Sequence, residues 1–198
     1  MDNDPDTSPK IAQRLHGDPD PQTQVERMIR VDHAGEYGAA RIYEGQLAVL
    51  GNRPVGDAIR AMAEQEQRHL DTFDRMVVDR RVRPTALSPV WHVAGYALGV
   101  ATAVMGERAA MACTVAVEEV IEEHYARQSE QLGDDEAELR DVIDEFRRDE
   151  IEHKTIGLDH IAGDNNVDVG AEPAGAYPAL SQAIKSGSRL AIWLSTRV

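Results

Sequence analysis

Two Glu-x-x-His motifs, Glu66-Gln-Arg-His69 and Glu150-Ile-Glu-His153, constrain the fold of this chain more than any other feature. A glutamate and a histidine three positions apart share one helix face, so each motif presents a carboxylate and an imidazole in the same direction. Glu36 stands 30 residues before the first motif, and Glu118 stands 32 before the second. Two single glutamates and two such motifs, each on its own helix and facing inward, make the ligand set of a two-metal four-helix bundle. One Glu-x-x-His match is a weak signal; two matches with matched glutamates are far more restrictive.

The helical pattern supports that arrangement. Expected helices run from about Thr23 to Leu50, Val55 to Arg80, Ser88 to Met105, Glu107 to Gln131 and Asp135 to Ala162, with a last segment from about Pro178. Breaks at Gly51-Asn-Arg-Pro54, Pro84, Gly106, Gly133 and Gly163 separate them. On four of these helices the candidate ligands interrupt apolar seams stepped by threes and fours, for example Ile29, Asp32, Glu36, Ala39 and Tyr43. Buried carboxylates need partners, and metal would supply them.

Depth along the bundle selects among the glutamates. If the hairpins turn near Asn52 and Gly133, Glu36 and Glu66 lie almost level, as do Glu118 and Glu150. Glu122 shares the Glu118 face but sits about 6 Å, one helical turn, nearer its loop. Glu119 and Glu123 point to solvent or to helix contacts. The expected ligands are therefore Glu36, Glu66, His69, Glu118, Glu150 and His153. An all-oxygen-and-nitrogen set suits iron or manganese. Tyr125 returns to the Glu118 face, either as a cavity-lining residue or as core. His33 and Asp149 stand either behind the ligands or in ordinary interhelical and surface pairs. His124 points away from the Glu118 direction, and His16, His92 and His160 have no metal spacing.

Composition excludes several classes. A net charge of −14 opposes nucleic acid, whose phosphates would be repelled. The single cysteine, Cys113, allows no intrachain disulfide and no thiolate cluster. Residues 1–21, acidic and proline-rich, read as a disordered leader, and 22–198 as one domain. The stretch 84–106 holds 23 residues without Asp, Glu, Lys or Arg. Its prolines, His92 and glycines favour a helix in the membrane interface or over a greasy channel, ahead of core packing and of a true span. The segment 178–198 mixes Leu, Ile and Trp193 with Lys185, Arg189 and Arg197 and has no acidic residue. That pattern suits lipid headgroups, or simple docking on the bundle.

The stretches RMIRVDHAGEYGAARIYEGQL, EQEQRHLDTFDRM, WHVAGYALG, MACTVAVEEVIEEHY and RRDEIEHKTIGLDH resemble the demethoxyubiquinone hydroxylase family of ubiquinone biosynthesis. The resemblance covers about residues 24–198. It implies an all-α, ferritin-like four-helix bundle with two additional apolar or amphipathic helices. It also implies a di-iron centre held by the same six residues, O2 as cosubstrate, and hydroxylation of the ring of a polyprenylated demethoxyubiquinol. Peripheral contact with the cytoplasmic face of a bacterial inner membrane, through 84–106 and 178–198, follows from it, with a homo-oligomer and other ubiquinone-biosynthesis proteins as expected partners. The electrons come from the quinol or from an external reductant, since the sequence carries no Gly-rich nucleotide fingerprint. The rival reading is a ferritin-like iron-storage or detoxification protein, which leaves the two apolar segments without a purpose. A manganese catalase and a metal-free structural bundle are more distant rivals.

Overall fold

A computed structural model of the chain describes residues 20–163 and 177–198. The expected leader therefore lies outside the described residues, apart from Asp20 and Pro21. Those two open the first helix slightly earlier than the sequence pattern suggests. The described residues form six α-helices and no strand: α1 Pro21–Leu50, α2 Gly56–Asp79, α3 Ser88–Val104, α4 Glu107–Gln131, α5 Ala137–Ala162 and α6 Pro178–Ser195.

Local chemistry sets the ends. Asp20 caps α1 by accepting from the Thr23 amide at 3.0 Å, and Pro21 occupies the first turn, where a missing N–H costs nothing. Helix α2 ends with the Val82 amide bonded to Val77 O and the Arg81 amide to Val78 O, the Schellman pattern, with Arg81 at φ 54°. Gly106 joins α3 to α4 at φ 113°, a left-handed conformation that disfavours any side chain.

The fold is an all-α, ferritin-like bundle. Helices α1, α2, α4 and α5 form its core, α3 packs along α1, and α6 packs mainly on α4. Two apolar clusters fill the two ends. One gathers Met28, Ile29, Phe73, Leu139, Ile143 and Phe146. The other gathers Leu50, Val55, Ile59, Met62, Met111 and Ile161. Between them in sequence, on all four core helices, stand Glu36, Glu66 with His69, Glu118, and Glu150 with His153.

Helix α3 is packed the opposite way to a usual surface helix. Its buried residues are small, Gly95, Gly99, Thr102 and Ala103, while the larger Val90, Val93 and Val104, with Met105 just beyond its end, face outward. The contact with α1 is backbone to backbone. A Cβ on Gly99 would lie 2.0 Å from Ile42 O, and one on Gly45 would lie 2.3 Å from Tyr96 O. No helix of the described residues is long and apolar enough to cross a membrane.

The bases of α6 find partners within the chain, as the docking alternative has it. Lys185 pairs with Glu119 at 2.7 Å and Arg189 with Glu123 at 3.1 Å, so two of its cations dock on the acidic face of α4. The third, Arg197, lies over the Trp193 ring at 4.0 Å. Trp91 Nε1 donates to Ser195 Oγ at 3.0 Å and ties α3 to α6.

Candidate metal centre

The six residues singled out by spacing meet in the middle of the bundle and are all buried. Glu36, Glu66, His69 and Glu150 each bring one donor atom within 4.8 Å of the others, and so do Glu66, Glu118, Glu150 and His153. Glu66 and Glu150 belong to both groups. Both imidazoles turn Nδ1 inward. His69 Nδ1 is 3.4 Å from Glu150 Oε1 and 3.6 Å from Glu36 Oε2. His153 Nδ1 is 3.1 Å from Glu66 Oε1 and 3.3 Å from Glu150 Oε2.

These approaches are close but not aligned as hydrogen bonds. Eight buried atoms have no hydrogen-bond partner here: Glu36 Oε2, both oxygens of Glu66, Glu118 Oε2, both oxygens of Glu150, and Nδ1 of His69 and His153. Buried polar atoms are nearly always satisfied, so eight orphans facing one space mark a place for cations. Four carboxylates and two imidazoles could hold one metal ion in each group of four.

Protonation reflects the crowding. Burial pushes Glu66 and Glu118 well above the usual carboxylate range, and the Glu150 charge adds to both shifts. Burial also opposes the ionised form of Glu150, but His153 and His69 outweigh it and bring that carboxyl down to about 2. Desolvation works against charged imidazoles as well. Glu150 and Glu36 nevertheless raise His69 to about 12, and Glu150 and Glu66 raise His153 to about 11.

The supports behind these residues cross from one half of the chain to the other. Tyr43 on α1 donates its hydroxyl to Glu118 Oε1 at 2.6 Å, and Tyr125 on α4 donates to Glu36 Oε1. His69 Nε2 meets Asp149 Oδ2 at 3.0 Å, and His153 Nε2 meets Gln65 Oε1 at 3.1 Å. The arrangement has a pseudo-twofold logic. Tyr43 and Tyr125 each follow their glutamate, Glu36 or Glu118, by seven residues, while Gln65 and Asp149 each directly precede a Glu-x-x-His glutamate. Sequence reasoning passed over Tyr43 as a seam residue and Gln65 altogether; these equal offsets were the available signal.

Other candidates fall outside the cluster. Glu122 pairs with Lys154 at 2.9 Å and Arg147 at 3.2 Å on the outer side. His33 bonds Asp74 across to α2, and His124 bonds buried Asp32 at 3.1 Å, so neither joins either group of four. His92 pairs with the Tyr37 hydroxyl, and His160 with Ile156 O on its own helix. Burial raises the Cys113 thiol to about 12, which leaves it unreactive.

An apolar cavity of about 510 Å3 lies among α1, α3, α4 and α6. Gly35 and Ala39 of α1 and Val117 and Ile121 of α4 form its inner wall; Gly35 and Val117 immediately precede Glu36 and Glu118, and Ala39 and Ile121 follow them by three residues. Leu98 of α3 and Ile184 of α6 form part of its outer wall. Tyr125 is not part of this lining; its hydroxyl faces the carboxylate cluster instead.

Residues 23–195 match the family model described as ubiquinone biosynthesis protein COQ7. A 3-demethoxyubiquinol 3-hydroxylase of Rhodospirillum rubrum is 55% identical over 186 residues, covering 93% of this chain and 84% of the relative. The mitochondrial NADPH-dependent 3-demethoxyubiquinone 3-hydroxylase of Dictyostelium discoideum is 54% identical over 177 residues, 88% of this chain and 77% of that one. Its Homo sapiens namesake is 51% identical over 178 residues, with 88% and 78% covered.

Proposed function

The chain belongs to the family of ubiquinone biosynthesis protein COQ7, and on that premise we propose that it is an O2-dependent di-iron monooxygenase hydroxylating the ring of a 3-demethoxyubiquinol. The observation that carries this reading is the set of eight partnerless buried atoms on Glu36, Glu66, His69, Glu118, Glu150 and His153. These six are the metal ligands, with Glu66 and Glu150 shared between the two positions. Iron bound there would supply the reduction of O2, one oxygen entering the ring and the other leaving as water. That balance consumes two electrons and two protons. The electrons come from a donor outside the chain.

The chain's own groups have separable roles. Tyr43 and Tyr125 orient the carboxylates of Glu118 and Glu36. Asp149 and Gln65 fix the imidazole rings so that Nδ1 faces inward. The apolar cavity receives the ring or the first part of the prenyl tail and excludes water from its inner wall beside Glu36 and Glu118.

The outward-facing Val90, Val93 and Val104 of α3 and Met105 after it, with Leu190 and Trp193 of α6, form the surface that meets lipid. The setting is peripheral, at the cytoplasmic face of a bacterial inner membrane, where a polyprenylated substrate resides. Anaerobic loading of the full chain with ferrous iron and a demethoxyquinol, then O2, tests the activity by the mass of the product. A ring gaining one oxygen is expected; mineral growth with no hydroxylated quinol would replace the reading with iron storage. Glu150→Ala or His153→Ala should abolish turnover while circular dichroism retains most helicity.

A further inference from the structure

The two halves of the metal centre correspond at Glu36 and Glu118, Tyr43 and Tyr125, Glu66 and Glu150, and His69 and His153. The correspondence fails at the residue preceding each Glu-x-x-His glutamate, which is Gln65 in one half and Asp149 in the other. Because the supports cross, Asp149 backs His69 at 3.0 Å and Gln65 backs His153 at 3.1 Å. In both rings Nδ1 faces the carboxylates, so Nε2–H is the donor to the backing group. A carboxylate attracts that proton more strongly than an amide oxygen and makes the opposite nitrogen the better metal donor. Its side chain is 28% exposed, which screens its longer-range field but not this direct bond.

A second observation points the same way. Phe146 stacks on His69 with ring centroids 3.9 Å apart, which fixes that ring in place. The corresponding position in the other half is Met62, a flexible side chain. Another difference, Asp32 four residues before Glu36 against Thr114 before Glu118, makes no hydrogen bond to the six residues. Asp32 is engaged by His124 and Gln128.

We propose that the two metal positions are inequivalent, and that Asp149, a positioning residue acting through His69, makes the Glu36–Glu66–His69–Glu150 group the tighter one, where the first ion settles. The inference rests on the six residues being ligands, as proposed above. Equilibrium titration of the metal-free full chain with Mn(II), followed by electron paramagnetic resonance and calorimetry, tests it. His153→Ala leaves the position beside His69, and His69→Ala leaves the one beside His153. The first variant should bind its ion at least about tenfold more tightly than the second, on the scale of histidine-backing effects. Adding Asp149→Asn to the first should remove that advantage, and adding the near-isosteric Gln65→Glu to the second should reproduce it.

In the six-ligand chain, Asp149→Asn and Gln65→Glu should shift one stepwise constant each, downward and upward respectively. Those shifts remain readable if either histidine variant folds poorly. Equal affinities in the two single-position variants, or an Asp149→Asn chain that binds both ions as the parent does, would overturn the inference. A parent chain that binds no Mn(II) would overturn it together with the metal reading. Two ions bound unequally without quinol hydroxylation would sink only the proposed activity and leave this inference standing.

Discussion

The Tyr43 hydroxyl donates to the Glu118 carboxylate, and both groups are buried. Burial first, then the Glu118 charge, push its own ionisation far above the usual phenol range, so it stays a donor at any working pH. Tyr43→Phe would leave Glu118 Oε1 buried and unpartnered, as Oε2 already is. The expected cost to the metal-free protein is about 1–3 kcal/mol by urea unfolding. The loss should shrink once metal occupies the site. The six clustered residues were legible because carboxylate and imidazole interrupt apolar seams at helical spacing. Gln65 was not, because a glutamine beside a charged motif looks like any solvated side chain, and only the partner across the bundle reveals its use.

Among the elements, α3 was half legible. Its apolarity stood out in the sequence, but the face it buries follows the small residues Gly95, Gly99 and Ala103 at helical spacing, not the large apolar side chains that hydropathy weighs. Gly99→Ala would gain about 1 kcal/mol of helix propensity yet lose about 1–3 to overpacking. With a backbone oxygen only 2.0 Å from the new Cβ, the overpacking should reach the upper end of that range, a net loss of about 2 kcal/mol in thermal unfolding. Gly187→Ala on α6, where a Cβ meets open space, should instead be neutral or stabilising. The α4–α5 pair carries a separate, pH-dependent tie. Lys154 first, then Arg147, lower the Glu122 carboxyl below its usual 4.5. A carboxyl depressed by folding adds stability above its unfolded value and loses it as pH falls through the folded one. Glu122→Gln should therefore cost about 0.5–1 kcal/mol at neutral pH, and the difference from the parent should vanish in acid. Height along the helices was enough to exclude Glu122 from the cluster, whereas its two cationic partners needed the packed hairpin. The cations of α6 show the limit of a local reading: a basic segment in an acidic protein found its counterions on α4, in Glu119 and Glu123, within the same chain.

At the scale of the whole molecule, metal and protons compete for one buried volume. His69 and His153 are raised to about 12 and about 11, so both imidazoles are protonated at neutral pH before metal enters. Loading both positions should release at least two protons per chain, and affinity should climb as pH rises. Calorimetry in buffers of different ionisation enthalpy reads that number; heats independent of buffer would contradict it. The larger plan is a repeat. Helices α1–α3 and α4–α6 are successive three-helix units, each a hairpin with a third helix laid on its first member. The motif pair announces this repeat in the sequence, while the crossing of supports appears only when the units are packed. Each half supplies the tyrosine, and the residue behind the histidine, that the other half needs. The Gly106 turn therefore marks a poor place for recombination. A hybrid taking α1–α3 from one relative and α4–α6 from another would retain every ligand type, yet inherit mismatched supports unless positions 43, 65, 125 and 149 travelled together. Ligands and their supports work as one block across the two units.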